Sequence, residues 1–442
     1  MDSSPLLRQL LAGLETPELG ELELFLAECE TTTVTLRERK VESLVGSFSR
    51  GLGARALKDG KLAFTHTADL SPSGIAQVRR TLADFLAAAE PDEHNQLAPP
   101  QGLEPVELDL SDRCGLTAGE LEQQARAMAE AALAVEEVER VEAVASAQRS
   151  RRWILNTLGM ERAHEGTVFS LIVEAHARRG ELRETAHSFS SSRHLSGLYP
   201  PVRIGTEAAE WARSLLGGRP LPSGESTVVF APEAAGMLLG YLGSALDGDW
   251  VNLGATYLVG KLGESIASAL VSIVDDPLRP RGLRSTLWDG EGVPTQRKCV
   301  VRAGVLQSYF HNLHSAHRAG VASTGNASRA GYSSPPAIGG FNFFIENGTT
   351  PREVLTAEVG EGLLVHRLLG HGPNLASGLL STGAVGWRIA GGRIAEPVSQ
   401  VTLTGNLLDI LGAIDGVGDD LDTARPYSSP SLRVRALSIS GT

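Results

Sequence analysis

Histidine is the first residue type to test for chemistry. His311, His314 and His317 recur at every third position after Tyr309, in a segment that reads as a helix. On an α-helix, positions i and i+3 share a face, but i+6 is rotated well away from i. Three convergent ligands from this one helix are not expected. The residues read as structural, at the surface or partly buried, with a metal site as the alternative. His366 and His371 bracket Leu368-Leu369-Gly370 without a thiol or carboxylate at ligand spacing. Zinc hydrolysis needs about three ligands, an open position for water and a carboxylate to take its proton. Neither H-E-x-x-H nor H-E-x-x-x-H occurs. The one His-Glu pair is His164-Glu165, and the next histidine is His176.

Other constellations fare no better. Gly46-Ser47-Phe48-Ser49 and Gly243-Ser244-Ala245 do not make a G-x-S-x-G elbow. Cys299, between Lys298 and Val300, reads as a small buried or half-buried strand residue. The turn-rich run from Gly282 to Gly292 has no G-x-x-x-x-G-K-[ST], and Gly260-Lys261 lacks the preceding glycine loop. Asp275-Asp276-Pro277 follows an apolar run. Two acids there suit a cation or a basic group, but acid-acid-Pro at a strand exit is also ordinary turn chemistry, and that reading is favoured. Residues 331–340, with Tyr332, Ser333, Ser334, Pro335 and Pro336, read as a flexible surface loop, with gating or partner binding as the functional alternative. Residue chemistry alone gives an α+β protein without an evident catalytic constellation.

The elements that must hold these residues are legible in outline. Residues 5–30 place leucines among acids at helical spacing, as in Leu22, Leu24, Phe25 and Leu26, which predicts one or two helices broken near Pro17. Thr31 to Leu36 and Val41 to Ser49 read as strands. Lys58-Asp59-Gly60-Lys61 between two further strand-like runs predicts a tight hairpin. Ser71-Pro72 opens a helix to about Ala89, and the proline-rich residues 91–110 form a linker. Thr117 and Glu120 fit a capping box, starting an alanine-rich helix to about Val135. Strands follow at 138–147, 150–157, 167–178 and 182–189, then a helix from Thr206 to Leu216. Beyond the boundary at Gly217 to Gly224 come a short buried strand at Val228 to Phe230, an apolar helix from about Pro232, and many glycine-punctuated strand pairs. The organisation is two α+β subdomains, 1–95 and 110–218, and a β-rich domain, 224–442.

Composition narrows the class. At roughly 150 residues per domain, 442 residues make about three domains. The 42% hydrophobic and 21% charged content is globular, and 40 basic against 52 acidic residues give −12, a field that repels nucleic acid and anionic membranes. Cys29, Cys114 and Cys299 form no close pair, which fits a reducing compartment. Met1 to Pro5 does not look like a secretory leader, and the uncharged run from Ala234 to Leu246 is short of the ~20 residues a membrane helix needs. The expectation is a soluble cytoplasmic protein.

Across nearly its whole length, and in order, the chain resembles the TldD/PmbA family, in particular its PmbA (TldE) branch. The stretches that carry the resemblance include Gly51-Leu-Gly-Ala-Arg-Ala56 with Asp69 to Pro72, Phe169 to Val173, Gly260 to Glu264 with Val271 to Pro277, and Glu291 to Thr295 before Gly304 to Tyr309. They continue with Ser323-Thr-Gly-Asn-Ala327, Gly383 to Gly392, Val401 to Leu407 and Pro430 to Val434. The resemblance implies an α+β N-terminal region and a barrel-like C-terminal domain. The TldD branch of the family is a zinc metallopeptidase with H-E-x-x-x-H on a helix that ends in an acid followed by Gly-Asp, and a cysteine near the C-terminus. Anchored on Gly248-Asp249, the two histidine positions fall here on Leu239 and Ser244, and the glutamate position on Gly240. Leucine has no donor atom, a lone serine hydroxyl is a poor zinc ligand, and glycine offers no base. No cysteine lies between Gly412 and Thr442.

The resemblance therefore implies a chain without catalytic, metal-binding or cofactor-binding residues of its own, and zinc only in a TldD-like partner. It implies a heterodimer that cleaves unfolded or extended peptides, in a family linked to peptide maturation and antitoxin turnover and once labelled a modulator of DNA gyrase. Two alternatives stand beside this reading. One is a homodimeric peptide-binding protein. The other is a peptidase with an unrecognised metal site, for which His311, His314, Asp275 and Asp276 are the residues to inspect.

Overall fold

The structure is a computed structural model that describes residues 4–441. Helix α1 (Ser4–Leu14) leads into β1 (Glu21–Arg37), β2 (Lys40–Lys58) and β3 (Lys61–Thr67), then α2 (Pro72–Ala88). After the linker come α3 (Ala118–Leu133), β4 (Val138–Asn156), β5 (Glu161–Arg179), β6 (Leu182–Ser192) and α4 (Pro201–Ser214). The six strands form a single antiparallel sheet in the order β3-β2-β1-β4-β5-β6, curved into a half-barrel. The two N-terminal subdomains thus share one sheet, joined where β1 pairs with β4 from Glu23↔Asn156 to Arg37↔Glu142.

Strand β1 overturns one sequence expectation. Leu22, Leu24, Phe25 and Leu26 are strand residues, not helical ones. The even positions face the core under α1 and α2. Phe25 points to the opposite, concave face, where Ile154, Met160 and Trp288 bury it. Burial on both faces erased the alternation that marks a half-buried strand. The segments read as separate strands at 138–147 and 150–157 are one 19-residue strand, and β5 is equally long. Such lengths arise because the convex face crosses two helix pairs. Leu22, Leu24 and Leu26 pack under α1 and α2, while Val34, Ala143 and Val173 pack under α3 and α4. Other local signals hold. Asp59 and Gly60 take positive φ (52° and 76°) in the two-residue β2–β3 turn, and Thr117 and Glu120 form the capping box of α3. The linker has no helix or strand, but Leu97 and Ala98 are buried, and Asn156 Nδ2 donates to the Ala98 carbonyl at 2.7 Å.

The C-terminal region begins with β7 (Gly224–Phe230), α5 (Pro232–Ala245) and α6 (Gly248–Asn252). Short strands follow: β8 (Ile273–Asp275), β9 (Lys298–Arg302) and β10 (Val305–Leu306), with α7 at Leu313–Ala319. Next are β11 (Ala327–Ser328), β12 (Ala337–Ile338), β13 (Phe343–Ile345), α8 (Arg352–Ala357), β14 (Glu361–Leu369), β15 (Leu379–Ala390) and β16 (Arg393–Asn406). The chain finishes with α9 (Leu407–Gly412), β17 (Ile414–Val417), β18 (Tyr427–Ser428) and β19 (Leu432–Ser440). Strands β16-β15-β14-β7-β19 close on themselves through β16–β19 pairing, giving a five-stranded barrel. Its core includes Val228, Leu363, Val365, Leu403 and Ile439, with α5 packed against it through Leu238, Leu239 and Leu242. The α+β class with a barrel-like C-terminal domain is what the fold shows. Among the described residues no helix is long and apolar enough to cross a membrane.

Candidate functional site

Helix α5 carries the three positions singled out from the sequence. Pro232 occupies its first turn, where a missing N–H costs nothing. Leu239 is 1% exposed in the barrel-side core. Ser244 lies on the exposed side, and its hydroxyl donates to the Gly240 carbonyl at 3.2 Å. In a regular helix at 3.6 residues per turn, positions five apart point about 140° apart. Leu239 and Ser244 accordingly face core and solvent. Gly236, Gly240 and Gly243 form the face on which Tyr427 lies. A Cβ at Gly240 would sit 3.9 Å from the Tyr427 ring, and one at Gly243 would sit 3.4 Å from Phe343 and 3.8 Å from Tyr427. Tyr427 and Phe343 meet edge-on at 5.7 Å. Tyr427 borders Gly240 at ordinary contact distance, and the donor set of Leu239, Gly240 and Ser244 does not fit zinc.

The Gly248-Asp249 pair that follows has a structural role. A Cβ at Gly248 would fall 2.3 Å from the His311 ring, so only glycine fits. Asp247 caps α6 by accepting from the Asp249 N–H at 2.8 Å.

The three histidines at every third position separate. His311 precedes the helix, is buried, and its Nδ1 meets Ser315 Oγ at 3.1 Å; burial lowers its pKa. His314 Nε2 meets Asp92 at 2.9 Å and its Nδ1 meets Asp249 at 3.4 Å. Burial opposes its protonation, but these two carboxylates outweigh it and raise the pKa. His317 is exposed, edge-on to His94 at 5.2 Å. Asp275 is fully buried and accepts from Lys298 Nζ (3.2 Å), Asn326 Nδ2 (2.9 Å) and the Phe341 N–H (2.7 Å). Cys299 is half-buried in β9. Among the described residues no three His, Cys, Asp or Glu side chains group in a way that could hold a metal ion.

A buried ion cluster that sequence reading missed joins the half-barrel to the C-terminal region. Arg55 on β2 donates to both oxygens of Glu23 on β1 (2.9 and 2.6 Å) and to Glu291 at 3.1 Å. Arg329 also bonds Glu23 and lies 4.8 Å over the Phe25 ring. Burial would raise the Glu23 pKa, but the two arginines hold it below its ordinary value. The second Glu291 oxygen accepts from the Leu313 N–H at 2.8 Å. Neighbouring Asp289 accepts three backbone N–H groups, and its pKa is pushed up to about 7 by burial and the charge of Glu291.

Two large cavities lie between the regions. The first, about 1300 Å³, lies between the β6–α4 unit and the barrel and is lined by Tyr199, Trp211, Glu233, His366 and Trp387 among others. His366 is 8% exposed, with Trp211 and Trp387 rings at 4.3 and 5.7 Å, and burial lowers its pKa to about 4. Burial would raise the Glu233 pKa, yet a bond from His187 and the charge of Arg425 (3.0 Å) hold it at about 2. The second cavity, about 1130 Å³, lies over the concave face of the half-barrel. In sequence these residues are isolated polar positions, and only the alternation of Gln148, Ser150 and Arg152 along one strand face offered a signal.

Comparison with known proteins accords with this architecture. Models of the PmbA/TldA metallopeptidase domain 1, central domain and C-terminal domain match residues 22–90, 114–216 and 223–441. The chain belongs to the PmbA/TldD metallopeptidase family. It is 29% identical to the metalloprotease PmbA of Escherichia coli O157:H7 over 413 residues, covering 92% of this chain and 90% of that one. It is also 29% identical to a PmbA homologue of Buchnera aphidicola over 286 residues, covering 65% of this chain and 62% of that one. A Bacteroides thetaiotaomicron protein described as a modulator of DNA gyrase superposes with a TM-score of 0.91 at 26% identity, over 100% of both chains. TldE from Thermococcus kodakarensis shares the fold, with a TM-score of 0.90 at 23% identity over 98% of this chain and 100% of that one.

Proposed function

We propose that this chain is the non-catalytic subunit of a TldD/TldE-type peptidase complex that processes or degrades unfolded peptides in the cytoplasm. Its partner is a family member with an intact H-E-x-x-x-H, which supplies the zinc. The observation that carries this reading is α5: Leu239 faces the core, Gly240 faces Tyr427, and Ser244 faces solvent. A chain that keeps the family fold without that chemistry has scaffold work left to do.

The half-barrel supports the need for a partner. Strand β3 pairs with β2 only over Leu52–Lys58, so Lys40–Gly51 has no strand partner on its outer edge among the described residues. Val41, Leu44, Val45 and Phe48 there are 42%, 56%, 53% and 66% exposed. A long apolar edge is one that folded proteins ordinarily cover.

The test is native co-purification of the chain from its own cells. Near-equimolar recovery with a family member that carries the histidine motif supports the subunit. Recovery of the chain alone, as a homodimer, transfers the same edge to a second copy and overturns the heterodimer.

A further inference from the structure

The concave face of the half-barrel is polar where the convex face is apolar. Ala27 and Cys29 on β1, Gln148, Ser150 and Arg152 on β4, and His164 and Val168 on β5 all line the second cavity. Their register puts Ala27, Arg152 and His164 in one row across the sheet and Cys29 and Ser150 in the next. Trp288 forms the facing wall, edge-on to His164 and 5.6 Å from the Arg152 guanidinium.

The charges in this cavity do not balance. Among the described residues the Arg152 side chain has no hydrogen bond and no acidic partner; it lies 5.6 Å from the Trp288 ring and beside two other basic groups, His164 and Arg193. Arg193 is spent on the carbonyls of Thr167, Gly282 and Leu283, which satisfy its N–H groups without cancelling its charge. Arg284 donates to the Gly340 carbonyl and lies over Tyr427. Arg329 is answered by Glu23. The lining carboxylates are engaged elsewhere: Glu28 pairs with Arg50 at 3.0 Å, and Asp289 is held by three backbone N–H groups. Arg152 is half-buried and opens on the cavity, and a guanidinium there without an acidic partner suits an anion. Burial lowers the Arg152 pKa to about 10, and burial together with Arg152 and Arg193 pushes His164 well below its ordinary value. Both shifts point to an uncompensated positive site.

We infer that Arg152, with His164 beside it, receives a carboxylate of an extended peptide lying along the concave face of the half-barrel. The planar guanidinium fork matches a carboxylate, and neutral His164 adds a donor. The cavity exceeds the usual range for a small-molecule pocket, and its small side chains leave room for a peptide backbone. The inference rests on the proposal that the chain handles extended peptides, and it adds which end or side chain this subunit holds.

The experiment uses the full chain, alone and with its co-purifying partner, and fluorescent unfolded peptides in three forms: free C-terminal acid, C-terminal amide, and amide with a terminal glutamate. The free acid is expected to bind about tenfold or more tighter than the amide. If the glutamate amide binds as the acid does, a side-chain carboxylate serves as well as the C-terminus; if it binds as the amide does, only the C-terminus is held. Arg152→Gln should erase the preference with amide binding unchanged. Ser150→Glu, which puts a carboxylate on the same face two residues away, should erase it too, so a poorly folded Arg152 variant does not decide the matter alone. Equal binding of acid and amide, or no binding of either, overturns the inference. A preference with no partner recovered keeps the carboxylate site and removes the heterodimer. A partner recovered with no preference does the reverse.

Discussion

The two barrels of this molecule differ in one respect that governs the rest: one is closed and one is not. The five strands β16-β15-β14-β7-β19 pair in a ring, and Val228, Leu363, Leu403 and Ile439 belong to the apolar core they enclose. The six strands of the N-terminal sheet stop halfway. Their convex face is sealed by four helices, but their concave face keeps Cys29, Gln148, Ser150 and Arg152 over a cavity. Closure removes sheet edges and leaves side chains to satisfy one another. A half-barrel keeps an edge and a face for something else.

The sharpest way to break this contrast is at the joint. Arg55→Met leaves Glu23 and Glu291 buried with one cation fewer, in a cluster where every member is under 5% exposed at its side chain. Removing one partner of such a cluster costs about 3–5 kcal/mol. Urea unfolding should show that loss, with both regions affected because Arg55 bonds across them. Leu403→Ala in the closed barrel should cost about 2–5 kcal/mol as an unfilled cavity. Restoring the motif by Leu239→His, Gly240→Glu and Ser244→His should cost about 2–4 kcal/mol, chiefly at Leu239. Metal analysis of that variant should find no stoichiometric zinc, because two histidines and a glutamate lack the further ligand that a C-terminal cysteine would give. One bound zinc per chain would show that α5 with water or another side chain completes a site without that cysteine.

Acid should discriminate the cavities. The folded pKa of His366 is depressed to about 4 from an ordinary 6.5, so between those values the unfolded chain binds more protons. Its contribution is complete above pH 6.5 and is lost as pH falls to 4, by about 3 kcal/mol at most. Glu233, held at about 2, continues the loss from pH 4.5 downward. His314 acts in the opposite sense: its pKa is raised, so its contribution is present at low pH and fades as pH rises. Unfolding free energies of the wild type and His366→Phe, measured from pH 7 to 4, isolate the first effect. The variant should be flatter across that window, and an unchanged slope would remove His366 from the account.

Much of the fold was legible because its local signals are strong. The Asp59-Gly60 turn and the Thr117 capping box each reside in a few adjacent residues. The stretches that carry the family resemblance were legible as a pattern but not as chemistry, and the structure shows why. Arg55 in the first stretch bonds Glu291 in a later one, and Asn326 bonds Asp275. They clasp one another across 236 and 51 residues, and no local spacing reports such a contact. The cavities were illegible for the same reason. Arg152 reads as one more cation in Arg149-Ser150-Arg151-Arg152 until β1 and β5 flank it. Strand β1 misled because Phe25 is buried by a loop some 260 residues away, which no window of periodicity can register.

The smallest effect sharpens the comparison most. Ser150 faces the open cavity, and its hydroxyl makes one long contact, 3.4 Å to the Gly166 carbonyl. A bond of that length is near the limit of the geometry and contributes little. Ser150→Ala should therefore shift stability by less than about 0.5 kcal/mol, as at a surface position, whereas Leu403→Ala in the closed barrel costs several-fold more. If Ser150→Ala instead costs as much as a core substitution, the concave face is packed against something within the folded chain, and the half-barrel is not open. If it costs almost nothing but weakens peptide binding, the polar row is held in place for a ligand and not for the fold.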